Sequence, residues 1–131
     1  MNKNNSVILD SSALICLISK EIGFEKVAEI IPYAIMSSIS IAEVARFLIE
    51  RKNMSLDNAQ RMILSIIDNI IPFDAALAFT SASILAQTRK FGLSLGDRAC
   101  IVLGLQTGFP VYTADKIWAE LGLDCQIVLI R

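Results

Sequence analysis

The sequence predicts an α/β protein: a single domain spanning residues 1–131, built on a mostly parallel central sheet with helices on both faces. Short β-branched runs alternate with longer helical patterns along the whole chain, and strands separated by helices form βα units that close into a covered, largely parallel sheet. No repeat, linker or low-complexity tract divides the 131 residues, a length suited to one core. The hydrophobic fraction, 54%, is high for a chain of this size. Apolar surface is therefore expected to meet a second subunit or a partner.

The elements follow in order. SVIL (6–9) is a strand; SALICLISKE and GFEKVAEII are helical; YAIMS (33–37) is the second strand. SIAEVARFLIERKN and LDNAQRMILSIIDN form a helical pair, with Ile41, Val44, Ala45, Leu48 and Ile49 as the core stripe of the first. Pro72 closes the NIIPF strand, and Asp74 starts the Ala-rich helix DAALAFTSASILAQTRKFG, which Gly92 ends. LSLGDRACIVLGLQTG is apolar on nearly every side from Ala99 to Leu105, so its helix is buried. Gly108 and Pro110 stop it before the strand in PVYTAD, and a short KIWAELG turn leads to CQIVLI.

Composition narrows the chemistry. The chain has no histidine, which excludes Ser-His-Asp and Cys-His nucleophilic sites and imidazole acid–base catalysis. Cys16, Cys100 and Cys125 lack paired zinc-ligand spacing and read as core thiols in a reducing compartment. A net charge of −1 gives no global attraction to a polyanion, so nucleic-acid binding needs local basic patches or a metal bridge. No apolar run approaches a membrane span, and MNKNNSVILD lacks the apolar core of a secretion signal. A cytoplasmic protein is expected.

Ligands of open α/β sheets bind beyond the carboxyl ends of the strands, so acids at strand-to-helix turns carry the interest. Asp10 follows SVIL, Glu43 lies in the first turn of the helix after YAIMSS, Asp97 opens the buried helix, and Asp115 follows PVYT. Each also has a local reading. Asp10 and Asp115 can cap the elements after them, and Ser40/Glu43 and Ser94/Asp97 have capping-box spacing. If the four carboxylates meet, unit charges about 4 Å apart repel by roughly 4 kcal/mol each at an effective dielectric near 20. Such a cluster binds cations or holds protons, and its oxygen-only donors suit Mg²⁺ or Mn²⁺.

The ordered set VILDSSAL, SIAEVARFL, LGDRACIVLGL and VYTADKIW resembles the PIN-domain ribonucleases, most closely the VapC-type toxins of toxin–antitoxin pairs. Each motif is weak alone; the four in order, over essentially the whole chain, are specific. The resemblance implies a PIN-like three-layer sandwich and an Mg²⁺- or Mn²⁺-dependent endoribonuclease holding one or two ions. It makes Asp10, Glu43, Asp97 and Asp115 the catalytic and metal-binding quartet, with Ser12 and Thr113 in support. It further implies an RNA substrate, a cognate antitoxin and a homodimer. Arg98 and Lys116, each following an acid, read first as solvated or ion-paired charges and second as phosphate contacts. Asp57 and Asp74 read as helix-start residues, and Trp118 and Phe91 as core.

Two other classes compete. A PIN fold kept only for protein binding predicts loss of an acid, whereas all four are present. A receiver-like phosphoacceptor wants adjacent acids after the first strand, but Asp10 is followed by Ser11 and Ser12, and its phosphorylated residue would have to be Asp74.

Overall fold

The computed structural model describes residues 5–131. The apolar runs become β1 (Val7–Leu9), β2 (Ala34–Ser37), β3 (Asn69–Ile71), β4 (Val111–Thr113) and β5 (Ile127–Leu129). They form one sheet in the order β3-β2-β1-β4-β5, every pairing parallel. That order differs from the 2-1-3-4-5 of receiver-like sheets, which removes the phosphoacceptor reading. Asp74, its required residue, instead caps a helix, its Oδ1 accepting from Leu77 N at 2.9 Å.

Side chains alternate across each strand and so feed two cores. Val7, Leu9 and Met36 point to one face, where α1 (Ser11–Ser19), α2 (Phe24–Ile30), α3 (Ser38–Lys52) and α4 (Leu56–Ile66) supply Leu14, Val27, Leu48 and Ile63. Ile8 and Ile35 point to the other, towards α5 (Ala75–Ser83), α6 (Leu85–Thr88) and α7 (Leu95–Thr107). Trp118, from a 3-10 turn at Lys116–Glu120, joins this second core, and Phe91 packs partly buried against it. Residues Ala99 to Gly104 of α7 are all buried, as an all-round apolar helix requires. Gly104 permits the close approach to β4, because a Cβ there would sit 2.5 Å from Val111 Cγ2.

The structure departs from the sequence expectation in three places. The Ala-rich helix is not continuous: it breaks at Ile84 between α5 and α6, where Ser83 Oγ donates to the Thr80 carbonyl and Ile84 turns into the core. Helix α3 starts at Ser38, capped by Ser37, so Glu43 falls in the second turn and the Ser40/Glu43 capping box does not form. Ile49, expected in the α3 core stripe, is exposed. Cys16, Cys100 and Cys125 are free thiols, the first two buried. Among the described residues no helix is long and apolar enough to cross a membrane.

Candidate metal centre

From β1 the chain builds β2 and β3 to one side, then returns across the sheet to add β4 on the other. The crevice at the carboxyl ends of β1 and β4 is therefore the topological switch point, where open α/β sheets bind ligands. Asp10 leaves β1 at this point, and Thr113 ends β4 beside it.

Asp10 is buried, 5% exposed, and both its oxygens are held. Oδ1 accepts from Ala13 N at 2.8 Å, capping α1, and from Ser12 Oγ at 2.7 Å; Oδ2 accepts from Thr113 Oγ1 at 2.5 Å. Each hydroxyl is fixed as a donor by a backbone N–H that it accepts. Ala114 N donates to Ser12 Oγ at 2.9 Å, and Asp115 N donates to Thr113 Oγ1 at 3.0 Å. A hydroxyl has one proton, so both are aimed at Asp10.

Asp97 closes a capping box at the start of α7. Its N–H donates to Ser94 Oγ at 3.1 Å, and its Oδ2 accepts from Ser94 N at 3.0 Å. One residue earlier, Gly96 lies under Glu43: a Cβ on Gly96 would be 2.7 Å from each Glu43 carboxylate oxygen. The Ser11 side chain lies near enough to Glu43 to favour its charged form. Asp115, exposed, caps the following turn, its Oδ1 accepting from Ile117 N at 3.2 Å. Capping and site placement are thus compatible for Asp10, Asp97 and Asp115. Sequence reasoning missed Ser11 and Gly96; the small residues flanking Asp10 and Asp97 were the available signal.

The electrostatics single out this crevice. Burial pushes the Asp10 carboxyl up to about 6 against the lowering effect of its hydrogen bonds, and the charge of Asp97 adds to the rise. Burial also raises Glu43, again with Asp97 contributing. The buried Cys100 thiol is driven up first by desolvation and then by nearby negative charge, that of Asp10 foremost. The ion pairs among the described residues all lie elsewhere: Arg46–Glu50, Arg61–Asp57 and Arg131–Glu21. Arg98 turns away, its Nη1 donating to the Leu93 carbonyl at 2.9 Å, and Lys116 is exposed.

The structure therefore brings Asp97 within electrostatic reach of both Asp10 and Glu43 and ties the Asp115 backbone to Asp10 through Thr113. Among the described residues, no three acids or thiols converge tightly enough to enclose an ion. A buried carboxylate, Asp10, with half-buried Glu43 and Asp97 nearby, no cationic side-chain partner among the described residues and oxygen-only donors, fits a hard divalent cation.

The chain belongs to the PIN domain family, whose pattern matches residues 7–123. The fold is similar to that of a chain in a toxin–antitoxin complex from Klebsiella pneumoniae, with a TM-score of 0.72 and 23% identity over 96% of this chain and 98% of that one. It is also similar to a chain of VapBC2 from Rickettsia felis bound to a DNA fragment from their promoter (TM-score 0.71, 14% identity, 94% and 97% covered). A third similar chain belongs to FitAcB from Neisseria gonorrhoeae (TM-score 0.69, 20% identity, 95% and 97% covered). Sequence comparison with curated proteins finds no match.

Proposed function

We propose that the protein is a metal-dependent endoribonuclease acting in the cytoplasm as the toxin of a type II toxin–antitoxin pair. The observation that carries this reading is the buried Asp10 carboxylate, within electrostatic reach of Asp97 and without a cationic partner among the described residues, at the switch point of a PIN fold. Asp10, Glu43, Asp97 and Asp115 would hold one or two Mg²⁺ or Mn²⁺ ions. Such an ion lowers the pKa of a bound water and neutralises charge on a phosphodiester, supplying the nucleophile and the electrophilic help for hydrolysis.

The protein's own contribution is positioning. Ser12 and Thr113 fix the Asp10 carboxylate from both sides, an arrangement that orients a metal ligand and raises affinity. The α7 capping box fixes Asp97, and Gly96 lets Glu43 approach the same helix end. The helix N-terminus adds positive potential beside the cleavage position, favouring the phosphate.

The proposed partner is supported by the similar chain from Klebsiella pneumoniae, which belongs to a toxin–antitoxin complex. An antitoxin segment would cover the acids or the adjoining apolar groove of about 280 Å³ between α3 and α4, lined by Ile41, Ala45, Leu56 and Leu64. Homodimerisation would cover further apolar surface such as Phe79, 77% exposed on α5. The catalytically silent binding module has no supporting feature, since all four acids are kept.

Purified, partner-free protein is expected to cleave RNA with Mg²⁺ or Mn²⁺ and to lose that activity on Asp10→Asn. Equal cleavage by the Asp10→Asn variant would refute the assignment.

A further inference from the structure

An open cleft of about 350 Å³ runs from Glu43 along α3, lined by Glu43, Arg46, Phe47, Glu50 and Arg51. This spacing of three and four residues puts all five on one helix face. At 1.5 Å rise per residue the face extends about 12 Å from Glu43 to Arg51, the length of about three nucleotides at 3.4 Å each along a stacked strand. Glu43, an acid of the candidate metal centre, stands at one end and Arg51 at the other, with Arg46 and Glu50 between them.

The chemistry of the lining is that of a single-strand binding groove. Phe47 is half-buried, anchored on the first core while part of it faces the cleft, and Lys52 Nζ lies 5.8 Å from its ring centroid. Bases stack on such a ring whatever their identity, while guanidinium groups take backbone phosphates. Arg46 is held only by a solvent-exposed pair with Glu50 at 3.2 Å, an interaction of small worth that a phosphate can replace. Arg51 has no ion-pair partner among the described residues. The lining balances two guanidinium groups against two carboxylates, so the phosphate contacts rest on Arg46 and Arg51 individually and not on a net positive field.

We infer that this cleft is the track for single-stranded RNA next to the scissile phosphate, with Phe47 stacking one base and Arg46 and Arg51 holding phosphates. The inference rests on the nuclease reading and deepens it. It selects unpaired RNA, because a base locked in a duplex cannot reach the ring.

The test compares the parent, R46Q/R51Q and F47L with a labelled, unstructured RNA, in Mn²⁺ for cleavage kinetics and in EDTA for binding by fluorescence anisotropy. R46Q/R51Q alters only exposed side chains and is expected to keep the parent melting temperature, to raise KM about tenfold with kcat within twofold, and to lower the salt dependence of binding by one to two charges. F47L is expected to weaken binding about fivefold, and F47W to restore it. Unchanged KM and unchanged binding in R46Q/R51Q, with the parent cleaving normally, would overturn the cleft while leaving the nuclease intact, and would return this face to a protein partner. If the parent cleaves nothing, the nuclease reading fails. The anisotropy arm then still decides: loss of RNA binding in R46Q/R51Q supports the track, and equal binding overturns it.

Discussion

Glu43 reaches the start of α7 only because residue 96 is glycine: a Cβ there would stand 2.7 Å from both of its carboxylate oxygens. Two helices that are distant in sequence, α3 and α7, are thereby brought together at the point where their acids serve one site. The carboxylate is the mobile end of a long side chain, so it can move aside at little cost. Function and stability should therefore separate at this position.

Gly96→Ala is expected to fold and to keep or gain stability by up to about 1 kcal/mol, since alanine is the better helix former. Glu43 would be displaced, and Mn²⁺ affinity should fall about tenfold, as for other losses of ligand positioning. Calorimetric titration with Mn²⁺ alongside thermal melts reads both; unchanged affinity would contradict the role given to this contact.

Asp10 sets a pH dependence. Burial raises its carboxyl from the ordinary 3.8 to about 6 in the folded protein. Between those values the folded state binds the extra proton, so stability without metal falls as pH climbs from about 4 to above 6, by on the order of 2–3 kcal/mol for this group. Asp10→Asn should abolish that slope and melt higher than the parent at pH 7 without metal, while losing activity. The amide oxygen can accept from Ser12 and Ala13, and its NH₂ can donate to Thr113 Oγ1. Denaturant melts in EDTA across pH 4 to 8 measure the effect.

A divalent cation should reverse the same penalty. At a hundredfold excess over its dissociation constant, Mn²⁺ is expected to stabilise the parent by about 2.7 kcal/mol at neutral pH. The increase should disappear in EDTA and shrink strongly in Asp97→Asn. Scanning calorimetry with and without Mn²⁺ provides the check, and an equal shift in the variant would argue against Asp97 as a ligand.

Thr113 is fully buried, and its hydroxyl both donates to Asp10 and accepts from Asp115 N. Thr113→Val strips a donor from a buried carboxylate and an acceptor from a backbone N–H, at a cost of about 1–3 kcal/mol. Thr113→Ser should restore most of both stability and cleavage. If valine proved neutral in denaturant melts and in RNA cleavage, the hydroxyl pair would not be what fixes Asp10.

Strand positions and the buried α7 were legible in the sequence because they depend on local pattern: β-branched runs bounded by Pro72, Gly108 and Pro110, and an all-apolar stretch. The strand-end acids were legible as candidates for the same reason. The α3 start was misplaced because three residues, Ser37, Ser38 and Ser40, compete as caps, and the choice depends on where β2 stops pairing with β3. The break at Ile84 was invisible because an Ala-rich pattern favours continuity, while burial of Ile84 in the second core is a tertiary demand. Gly96 and Ser11 went unread because their partner, Glu43, lies more than thirty residues away from either in sequence.

The central claim is tested most directly by cleavage of total cellular RNA by the purified, partner-free protein in Mg²⁺ or Mn²⁺, beside EDTA and Asp97→Asn controls, with the new ends mapped. The account predicts discrete cuts, absent from both controls. A folded, partner-free protein that cuts nothing in either metal would contradict it and leave the PIN fold here as a binding module.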